Sequence, residues 1–360
     1  NNMKVCILGS GLSSLTLAKA LVNENIYVDI FATNKRKIIN DSRTLGISKS
    51  NVEYFNKNII NIDDIQWKLN KIEIFSDNLK NESLINFENN SKYLFSIIKN
   101  FKLLGKLEKN LFKNKFFHIM NSRIKSNIYN NYNLIINTDY NNILTKKYFY
   151  KKILKTYNSS AYTAIIKHEK MLNNTATQIF TKKGPVAFLP ISNQETSVVF
   201  SIHNSQKKKI KNFYQLIQNY NLKYKIKKIN NFETFDLKGL SLRSYYHENI
   251  LAFGDLLHKV HPLAGQGFNM TIRDIKVLVE LIISRIGLGM QIDSSICSNF
   301  EKRTKSSNYL FSKSIDFIYE FFNFESKTNT ALMSKSVQLL GKNKSINRFL
   351  TKMADTGFVI

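Results

Sequence analysis

Residues 250–274, ILAFGDLLHKVHPLAGQGFNMTIRD, decide the predicted fold, because they combine a strand, a glycine turn and the start of a helix. The apolar run Ile250–Phe253 is typical of a buried strand, which Gly254 and Asp255 end. Two glycines between positions 262 and 267 let the backbone approach a ligand closely. An amphipathic helix is predicted from about Gln266, with these apolar residues at helical spacing: Phe268, Ile272, Ile275, Leu278, Val279 and Ile282.

This order of elements places the carboxylate of Asp255 at a strand end, close to the N-terminus of a long helix. Free backbone N–H groups and the positive end of the helix dipole favour negative charge at such a terminus. We therefore predict a binding site between Asp255 and the start of the helix. The alternative, an ordinary strand-turn-helix connection, requires two glycines, a proline, a glutamine and two aspartates to occupy these positions by chance.

The pattern Gly-Asp-x-x-His-x-x-x-Pro-x-x-Gly-Gln-Gly-x-Asn-x-x-x-x-Asp, from Gly254 to Asp274, resembles the second flavin motif of the group A flavoprotein aromatic hydroxylases. Within this family it is most similar to the ubiquinone-biosynthesis hydroxylases. The resemblance implies that Asp255 binds the ribityl and pyrophosphate part of FAD, and that the helix start lies against the pyrimidine edge of the flavin. It also implies contacts with the cofactor from Pro262, Gly265, Gln266, Gly267, Phe268 and Asn269.

The N-terminus carries a second cofactor signal. A predicted strand over Lys4–Leu8 leads into GSGLSS at 9–14, then a helix, then a second strand over Tyr27–Phe31. A dinucleotide-binding fingerprint requires this β-turn-α-β context, although a purely structural unit has it as well. The positions predicted to bind FAD are Gly9, Gly11, Leu12 and Ser13.

Two positions depart from that fingerprint. Ser14 replaces the third glycine, which predicts that the helix and the strand pack slightly farther apart. Ala32 and Thr33 stand where an acidic residue would hold the adenosine ribose.

Three further segments match the family less completely. Arg43 resembles an arginine that approaches the cofactor, with a surface arginine as the alternative. Asp139 ends a predicted strand where the family has Gly-Ala-Asp-Gly, but Tyr140 replaces the last glycine, so we expect a rebuilt turn and leave the docking of nicotinamide open. The segment 181–190, TKKGPVAFLP, resembles the strand pair that roofs the substrate pocket, although its apolar residues fit a core equally well.

Charge and cysteine usage limit the partners. The chain has 53 Lys+Arg against 26 Asp+Glu, a formal net charge of +27. The lysines are spread along the whole sequence and no nucleic-acid-reading motif accompanies them, so we expect a solvated surface and no nucleic-acid partner. Contact with an anionic membrane needs only charge and apolar area. The two cysteines, Cys6 and Cys297, form neither a disulfide framework nor a metal-binding spacing, and fit a reducing compartment.

The chain offers no signal for export or membrane insertion. A strand is predicted almost at once, so we expect no signal peptide. Glu280, Ser284 and Arg285 interrupt the apolar stretch Val277–Met290, so we expect no membrane span. We predict a protein of the bacterial cytoplasm or of the cytoplasmic face of the inner membrane.

The predicted fold is α/β. The resemblance implies a Rossmann-like FAD-binding domain of the p-hydroxybenzoate hydroxylase type, interleaved with an antiparallel-sheet substrate domain and followed by a C-terminal helical tail. We assign residues 1–70, 90–155 and 235–300 to the FAD-binding domain, 71–89 and 156–234 to the substrate domain, and 301–360 to the C-terminal helices.

The function implied by the resemblance is hydroxylation of the aromatic ring of a polyprenylated phenol in ubiquinone biosynthesis, with FAD, NAD(P)H and O2. The protein would position the substrate, exclude water and stabilise negative charge on reduced flavin. No catalytic side chain and no metal site are predicted, and His258 is either near the cofactor or structural.

Two alternatives stay open. The first is a non-catalytic scaffold subunit of the same biosynthetic complex, and the second is a flavin-dependent reductase of isoprenoid lipids. The predicted partners are the lipid substrate, an anionic membrane and other ubiquinone-biosynthesis proteins.

Overall fold

The computed structural model describes residues 3–32, 41–79, 82–88, 93–120, 130–207, 212–230, 232–262, 266–328, 331–345 and 347–348. In these ranges the strands are β1 (Lys4–Leu8), β2 (Tyr27–Phe31), β3 (Thr44–Ser48), β4 (Gln66–Leu69), β5 (Lys71–Ser76), β6 (Ser83–Glu88), β7 (Phe95–Lys99), β8 (Phe117–Met120), β9 (Leu134–Asn137), β10 (Lys152–His168), β11 (Thr175–Thr181), β12 (Gly184–Pro190), β13 (Glu195–His203), β14 (Ile226–Ile229), β15 (Glu233–Leu242), β16 (Tyr246–His247), β17 (Ile250–Ala252) and β18 (His258–Lys259). The helices are α1 (Leu12–Asn23), α2 (Lys49–Asn58), α3 (Asn100–Leu111), α4 (Ile143–Tyr148), α5 (Asn204–Lys207), α6 (Phe213–Tyr220), α7 (Gln266–Gly287), α8 (Ser295–Thr328) and α9 (Leu332–Gly341).

The first sheet is the Rossmann-like part of the molecule. Its strand order is β16-β17-β9-β1-β2-β8, and β1 lies parallel to both β2 and β9. Helices cover the faces of such a sheet, so its strands are continuous apolar runs, and Val5–Leu8 is almost fully buried. The helix between β1 and β2 packs against both α3 and α7. The predicted β-turn-α-β unit is confirmed.

The second sheet has the order β18-β15-β10-β13-β12-β11-β5-β6, with β14 paired to β10. Most of its neighbours are antiparallel, as predicted for the substrate domain. One face packs on α6, where Val186 and Phe188 join Leu216 and Ile217 in a hydrophobic cluster. Val186 and Phe188 are therefore core residues of this sheet.

Two long strands join the sheets, and they cross the predicted domain boundaries. The boundary at residue 235 falls inside β15, all of which belongs to the second sheet, while Leu240 and Leu242 at its end are buried in the core of the first sheet. The boundary at 155 likewise falls inside β10. By contrast, β5 and β6 lie in the second sheet, within the predicted segment 71–89. A continuous strand passes between cores without a linker, so composition does not mark these boundaries.

The remaining elements connect the two parts. A third sheet, β3-β7-β4, lies at the junction, where the Thr44 hydroxyl donates to Ser197 Oγ of β13 at 3.0 Å. At the C-terminal end, α8 packs along α7, and its Phe322 stacks on Phe180 of β11 with the ring centroids 3.9 Å apart. Among the residues that the structure describes, no helix is long and apolar enough to cross a membrane.

The turn between β11 and β12 yields a stability prediction. Gly184 has φ +125°, and a Cβ there would lie 1.8 Å from the Ser201 carbonyl oxygen. We expect Gly184→Ala to lower the free energy of unfolding by about 2 kcal/mol or more, because the backbone must move or adopt a strained conformation. Urea unfolding monitored by circular dichroism measures the change.

Gly105 provides the matched control. It lies inside α3, and no atom stands within 4 Å of its Cβ position. We expect Gly105→Ala to raise the stability by about 0.5–1 kcal/mol, because alanine loses less backbone entropy in a helix. Equal effects of the two substitutions would contradict the close approach of Gly184 to β13.

Candidate cofactor site

The candidate site lies at one edge of the first sheet. Strands β17, β9, β1 and β2 run parallel, so their carboxyl ends meet at this edge. Gly9 follows β1, Ala32 follows β2, Thr138 follows β9, and Phe253 followed by Gly254 comes after β17. Ligands of open α/β sheets bind at such an edge. The structure thus brings the N-terminal fingerprint and the 250–274 motif together, as predicted.

Gly9 makes the sharp turn after β1. Its φ is +111°, its N–H donates to the Phe31 carbonyl at 2.9 Å, and a Cβ would lie 2.3 Å from Thr138 Oγ1. A side chain at this position would therefore collide with β9. Glycine lets the backbone turn in the narrow space between the strand ends.

The start of α1 is open. Gly11 is its N-cap residue and provides no side-chain cap, and nothing lies within 4 Å of a Cβ built on it. The first N–H groups of a helix have no partner inside the helix. The amides that open α1, beginning with Leu12 and Ser13, can therefore receive an anionic group such as a diphosphate.

Ser14, which replaces the third glycine of the fingerprint, bonds to the end of a neighbouring strand, and the predicted wider spacing of helix and strand stays a prediction. Its side chain is fully buried, and its hydroxyl lies 2.8 Å from Thr138 Oγ1. The Thr138 hydroxyl in turn donates to the Leu8 carbonyl at 2.8 Å, so Ser14 is the donor of the first bond. This chain of hydrogen bonds links α1 to both strand ends, because the serine contributes a polar contact where glycine would contribute only close approach.

Gly254 and Asp255 lie directly beside this helix start. Gly254 has φ +64°, and a Cβ there would lie 2.9 Å from Ser13 Cβ. The neighbouring Asp255 is exposed, and none of the described residues forms a hydrogen bond or ion pair with its carboxylate. An exposed carboxylate acceptor therefore follows directly on the residue that packs against the free amide donors of α1. The sequence predicted instead that Asp255 converges with the start of α7; residues 263–265, just before that helix, lie outside the described residues, so this convergence stays a prediction.

A cleft of about 240 Å³ opens next to Ala32. Apart from Ser10, its lining is apolar: Leu15, Ile30, Ala32, Phe112, Phe117 and Ile119. An apolar slot of this kind fits the faces of a purine ring. Ala32 leaves it without the carboxylate that the fingerprint places at the ribose.

At the start of α7, the side chain of Asn269 forms hydrogen bonds with other parts of the protein. The Asn269 side chain accepts hydrogen bonds from the Ser48 N–H and from Asn51 Nδ2, at 3.0 and 2.8 Å, and donates to the Gly46 carbonyl at 3.0 Å. It therefore ties α7 to β3 and α2, which leaves its backbone for a cofactor contact. Phe268 packs in the core, 6.4 Å from the Phe55 ring centroid.

The other predicted residues of this turn are only partly visible. Pro262 is half-buried, Gly267 lies in the first turn of α7, and Gln266 is the first residue of that helix. Gly265 lies outside the described residues. The predicted cofactor contacts of this group stay predictions.

Arg43 points toward the second sheet. Its Nε donates to Glu233 Oε2 at 3.0 Å, and its guanidinium lies 4.9 Å from the Phe235 ring centroid. Both partners belong to β15, so this arginine bridges the two parts of the molecule. A contact between Arg43 and the cofactor would require this pair to open, and it stays a prediction.

The turn after β9 is rebuilt, as expected from Tyr140. Asp139 Oδ1 accepts the Asn141 N–H at 2.9 Å, and Asn142 caps α4 by accepting the Leu144 N–H at 2.9 Å. Tyr140 has no positive φ, and its hydroxyl accepts a hydrogen bond from Lys152 at 2.6 Å. Side-chain hydrogen bonds thus replace the backbone freedom of a glycine.

Behind the site lies a buried polar triad that links β18, α7 and α8. His258 Nε2 lies 2.5 Å from Asp274 Oδ2, and Asn308 Nδ2 donates to Asp274 Oδ1 at 3.0 Å. All three side chains are buried. The triad joins β18 to α7 within the 250–274 motif, so His258 has a structural role. Asn308 was not predicted, because nothing in its local sequence marks it.

His261, just before Pro262, is a second group that the sequence did not single out. Its ring stacks on Tyr319 at 4.3 Å and meets Tyr157 edge-on at 5.0 Å. Both ring nitrogens are buried without a hydrogen-bond partner in the described structure. Burial, with smaller contributions from His203 and Lys155, lowers the pKa of His261 to about 3, so the ring is neutral.

The residues present fit an FAD molecule. A helix N-terminus stands ready for the diphosphate, Asp255 offers an acceptor for hydroxyl groups beside it, and an apolar cleft continues along the same sheet edge. Among the described residues of the site, the fit is incomplete at the adenosine ribose, where Ala32 has no polar side chain. No cluster of potential metal ligands occurs in the part of the chain that the structure describes.

Comparison with known sequences also indicates a protein that binds FAD. The family described as "FAD binding domain" matches residues 142–287. The ubiquinone biosynthesis monooxygenase COQ6 of Dictyostelium discoideum is 23% identical over 439 aligned residues, which cover 94% of this chain and 88% of that protein. The 3-demethoxyubiquinol 3-hydroxylase of Escherichia coli is 23% identical over 174 residues, 46% of this chain and 44% of that protein.

Solved structures share the whole fold at low sequence identity. The p-nitrophenol 4-monooxygenase PnpA from Pseudomonas putida DLL-E4 superposes with a TM-score of 0.79, at 10% identity, over 99% of both chains. An FAD complex of a variant of HpxO from Klebsiella pneumoniae has a TM-score of 0.73, at 10% identity, over 99% of this chain and 100% of that one.

The lowered pKa of His261 predicts an acid-sensitive fold. Below the ordinary histidine pKa the unfolded chain binds a proton that the folded protein excludes, so stability falls as the pH drops from about 6.5 toward 3. This group alone contributes a slope of about 1.4 kcal/mol per pH unit. Urea unfolding at several pH values should show a shallower slope for His261→Phe, which keeps a ring between the tyrosines.

The exposed His247 serves as the control, because it lies on the surface against Tyr148. His247→Phe should leave the slope of the wild type unchanged. If His261→Phe and the wild type lose stability in parallel on acidification, the histidine is not held neutral.

Proposed function

We propose that this chain is an FAD-dependent aromatic hydroxylase related to the ubiquinone-biosynthesis monooxygenases, and that it hydroxylates the ring of a polyprenylated phenol, with NAD(P)H as electron donor and O2 as co-substrate. The observation that carries the proposal is the convergence of Asp255 with the open N-terminus of α1. That pair of features would hold a dinucleotide at the carboxyl edge of the first sheet.

Bound FAD supplies the redox chemistry and the activation of oxygen. The residues of the chain bind and orient the cofactor and the substrate, and they protect the reaction from water. With FAD bound, the Asp255 carboxylate would accept hydrogen bonds from ribityl hydroxyls, and the first amides of α1 would bind the diphosphate. The positive end of the α7 dipole favours negative charge on the reduced ring system.

We infer that the second sheet limits the entry of water to this edge. Its β10 and β13 strands carry Thr163 and Ser197, which bond to Ser42 and Thr44 from the cofactor-binding part. These links hold the sheet against the site, and a closed site strengthens the electrostatic interactions inside it. When the reaction takes place in a buried site, reduced cofactor is also not oxidised without formation of product.

The substrate class is inferred from the relatives. Two of them carry names that place them in ubiquinone biosynthesis, and a polyprenylated phenol is the aromatic intermediate of such a pathway. We propose that the protein lies in the bacterial cytoplasm or peripherally on the cytoplasmic face of the inner membrane, where such a lipid resides. Association with other proteins of the pathway follows from the same substrate.

One observation favours a second candidate. Ala32 leaves the ribose position without a carboxylate. This fits a scaffold subunit that no longer catalyses a reaction. A reductase of isoprenoid lipids would use the same cofactor site. The experiments below separate the three functions.

Asp255 provides the test of cofactor binding. We expect Asp255→Ala to weaken FAD binding by roughly tenfold or more, because a charged hydrogen-bond acceptor contributes about 1.5–3 kcal/mol. Quenching of flavin fluorescence during titration of the apoprotein measures the change. Asp64→Ala, which removes an exposed aspartate paired with Lys106, should bind FAD like the wild type. Equal affinity of all three proteins would overturn the site assignment.

Product mass tests the reaction. With a short-chain prenylphenol, NAD(P)H and O2, we expect the product to gain one oxygen atom, as measured by mass spectrometry, and to carry the isotope when ¹⁸O2 is supplied. A gain of two hydrogen atoms would identify a reductase. Protein that binds FAD normally but consumes no oxygen with any prenylphenol would support the scaffold.

A further inference from the structure

Helix α8 has one face in the core and one face that nothing in the described structure covers. Its 34 residues lie along α7 and then along the second sheet. The buried face contributes Phe311, Ile315, Tyr319 and Phe322 to the cores. The opposite face, which we call the α8 outer face, carries Leu310, Phe317 and Phe324.

These three residues form a continuous apolar stripe. They are spaced seven residues apart, which places them on one line along a helix. Phe317 is 66% exposed and Phe324 60% exposed, and Tyr309 and Ile318 beside the stripe are also open to solvent. Single exposed apolar residues are ordinary, but a row of aromatic side chains on one helix face marks an interaction surface.

The charges around the stripe are positive. Lys302 and Lys313 are exposed, and neither forms an ion pair with a residue that the structure describes. Among the acidic residues of α8, Glu301 pairs with Lys305, and Asp316 and the exposed Glu320 share the single positive charge of Lys155. Glu325 is buried against Ser334. The outer face therefore presents the charges of Lys302 and Lys313 beside apolar surface, on a chain of net charge +27.

The surface continues onto β10. Lys305 of α8 donates to the Arg243 carbonyl, and the Arg243 N–H donates to the Lys151 carbonyl at 3.0 Å. Farther along, Lys155 pairs with α8 through Glu320 at 2.5 Å. Ile153 lies between these two contacts, on the same face of β10 as Lys155, and is 44% exposed. It extends the apolar area beside the helix.

We propose that the α8 outer face docks on an anionic lipid bilayer, with Phe317 and Phe324 entering the headgroup region and Lys302 and Lys313 against lipid phosphates. Interfacial helices bind in this way, with aromatic and aliphatic residues on one side and lysines flanking them. Each lysine near an anionic surface adds electrostatic attraction that depends on salt.

The charge pattern selects a bilayer over a second copy of the chain. An isologous dimer through this face would bring two copies of the same cationic surface together, each on a chain of +27. An anionic bilayer complements both the lysines and the apolar stripe. The inference deepens the proposed function, on which it rests for the lipid nature of the substrate.

The test measures binding to vesicles by flotation of the FAD-loaded protein. We expect binding to vesicles of phosphatidylcholine and phosphatidylglycerol in equal parts, and little binding to phosphatidylcholine alone. Phe317→Ser combined with Phe324→Ser should weaken binding by roughly tenfold or more, because two aromatic side chains no longer leave water. Lys302→Glu combined with Lys313→Glu should remove the preference for the anionic vesicles.

The matched control removes apolar surface elsewhere. Leu172 and Leu222 are 79% and 49% exposed and lie in turns at the far end of β10, away from α8. Leu172→Ser combined with Leu222→Ser should bind vesicles like the wild type. If this control loses binding as much as the α8 variant does, or if neither variant changes it, the α8 outer face is not the docking surface.

Two further measurements separate the causes of failure. Sedimentation velocity without lipid should show the same monomer for the wild type and the α8 variant, and a wild-type dimer that the variant dissolves would assign this face to a second copy. FAD binding and oxygen consumption with a water-soluble phenol should be unchanged in the α8 variant. Vesicle binding by a protein that is inactive with every phenol would overturn the function and leave the docking surface standing.

Discussion

The contact between Gly254 and the first turn of α1 is the constraint on which the candidate site depends. With φ +64° and only 2.9 Å between its Cβ position and Ser13 Cβ, residue 254 must be glycine for the strand end to lie against the helix start. This close approach brings the residue before Asp255 against the helix start, so an exposed carboxylate lies next in the chain to a contact with the unpaired amides of α1. A side chain at 254 would separate the two groups.

The surrounding structure holds this arrangement with buried polar contacts. Asn269 ties the start of α7 to β3 and α2, and the triad of His258, Asp274 and Asn308 joins the end of the motif to α8. Buried polar groups of this kind are costly unless they are satisfied, so they specify one geometry. His261 is the exception, since its neutral ring is held between two tyrosines without a hydrogen-bond partner in the described structure.

The site and the α8 outer face fit one kind of substrate. A lipid with an aromatic head needs a dry, cofactor-lined site for the ring and a surface that reaches the membrane in which the tail resides. In this chain α8 takes part in both, because one of its faces contributes Tyr319 beside His261 and the opposite face presents Phe317 and Phe324 to solvent. The net charge then attracts the protein to an anionic membrane over a distance, whereas the aromatic stripe binds the membrane on contact.

The sequence by itself determined the α/β class, the β-turn-α-β unit, the family resemblance and the cofactor, because glycine turns and apolar periodicity are local signals. It did not reveal that Ser14 would bond to Thr138, that Arg43 would pair with Glu233, or that β10 and β15 would cross the expected domain boundaries. Those outcomes join residues separated by more than a hundred positions or depend on which core a strand end enters. Only the packed tertiary structure decides them, since the partners meet after the chain has folded.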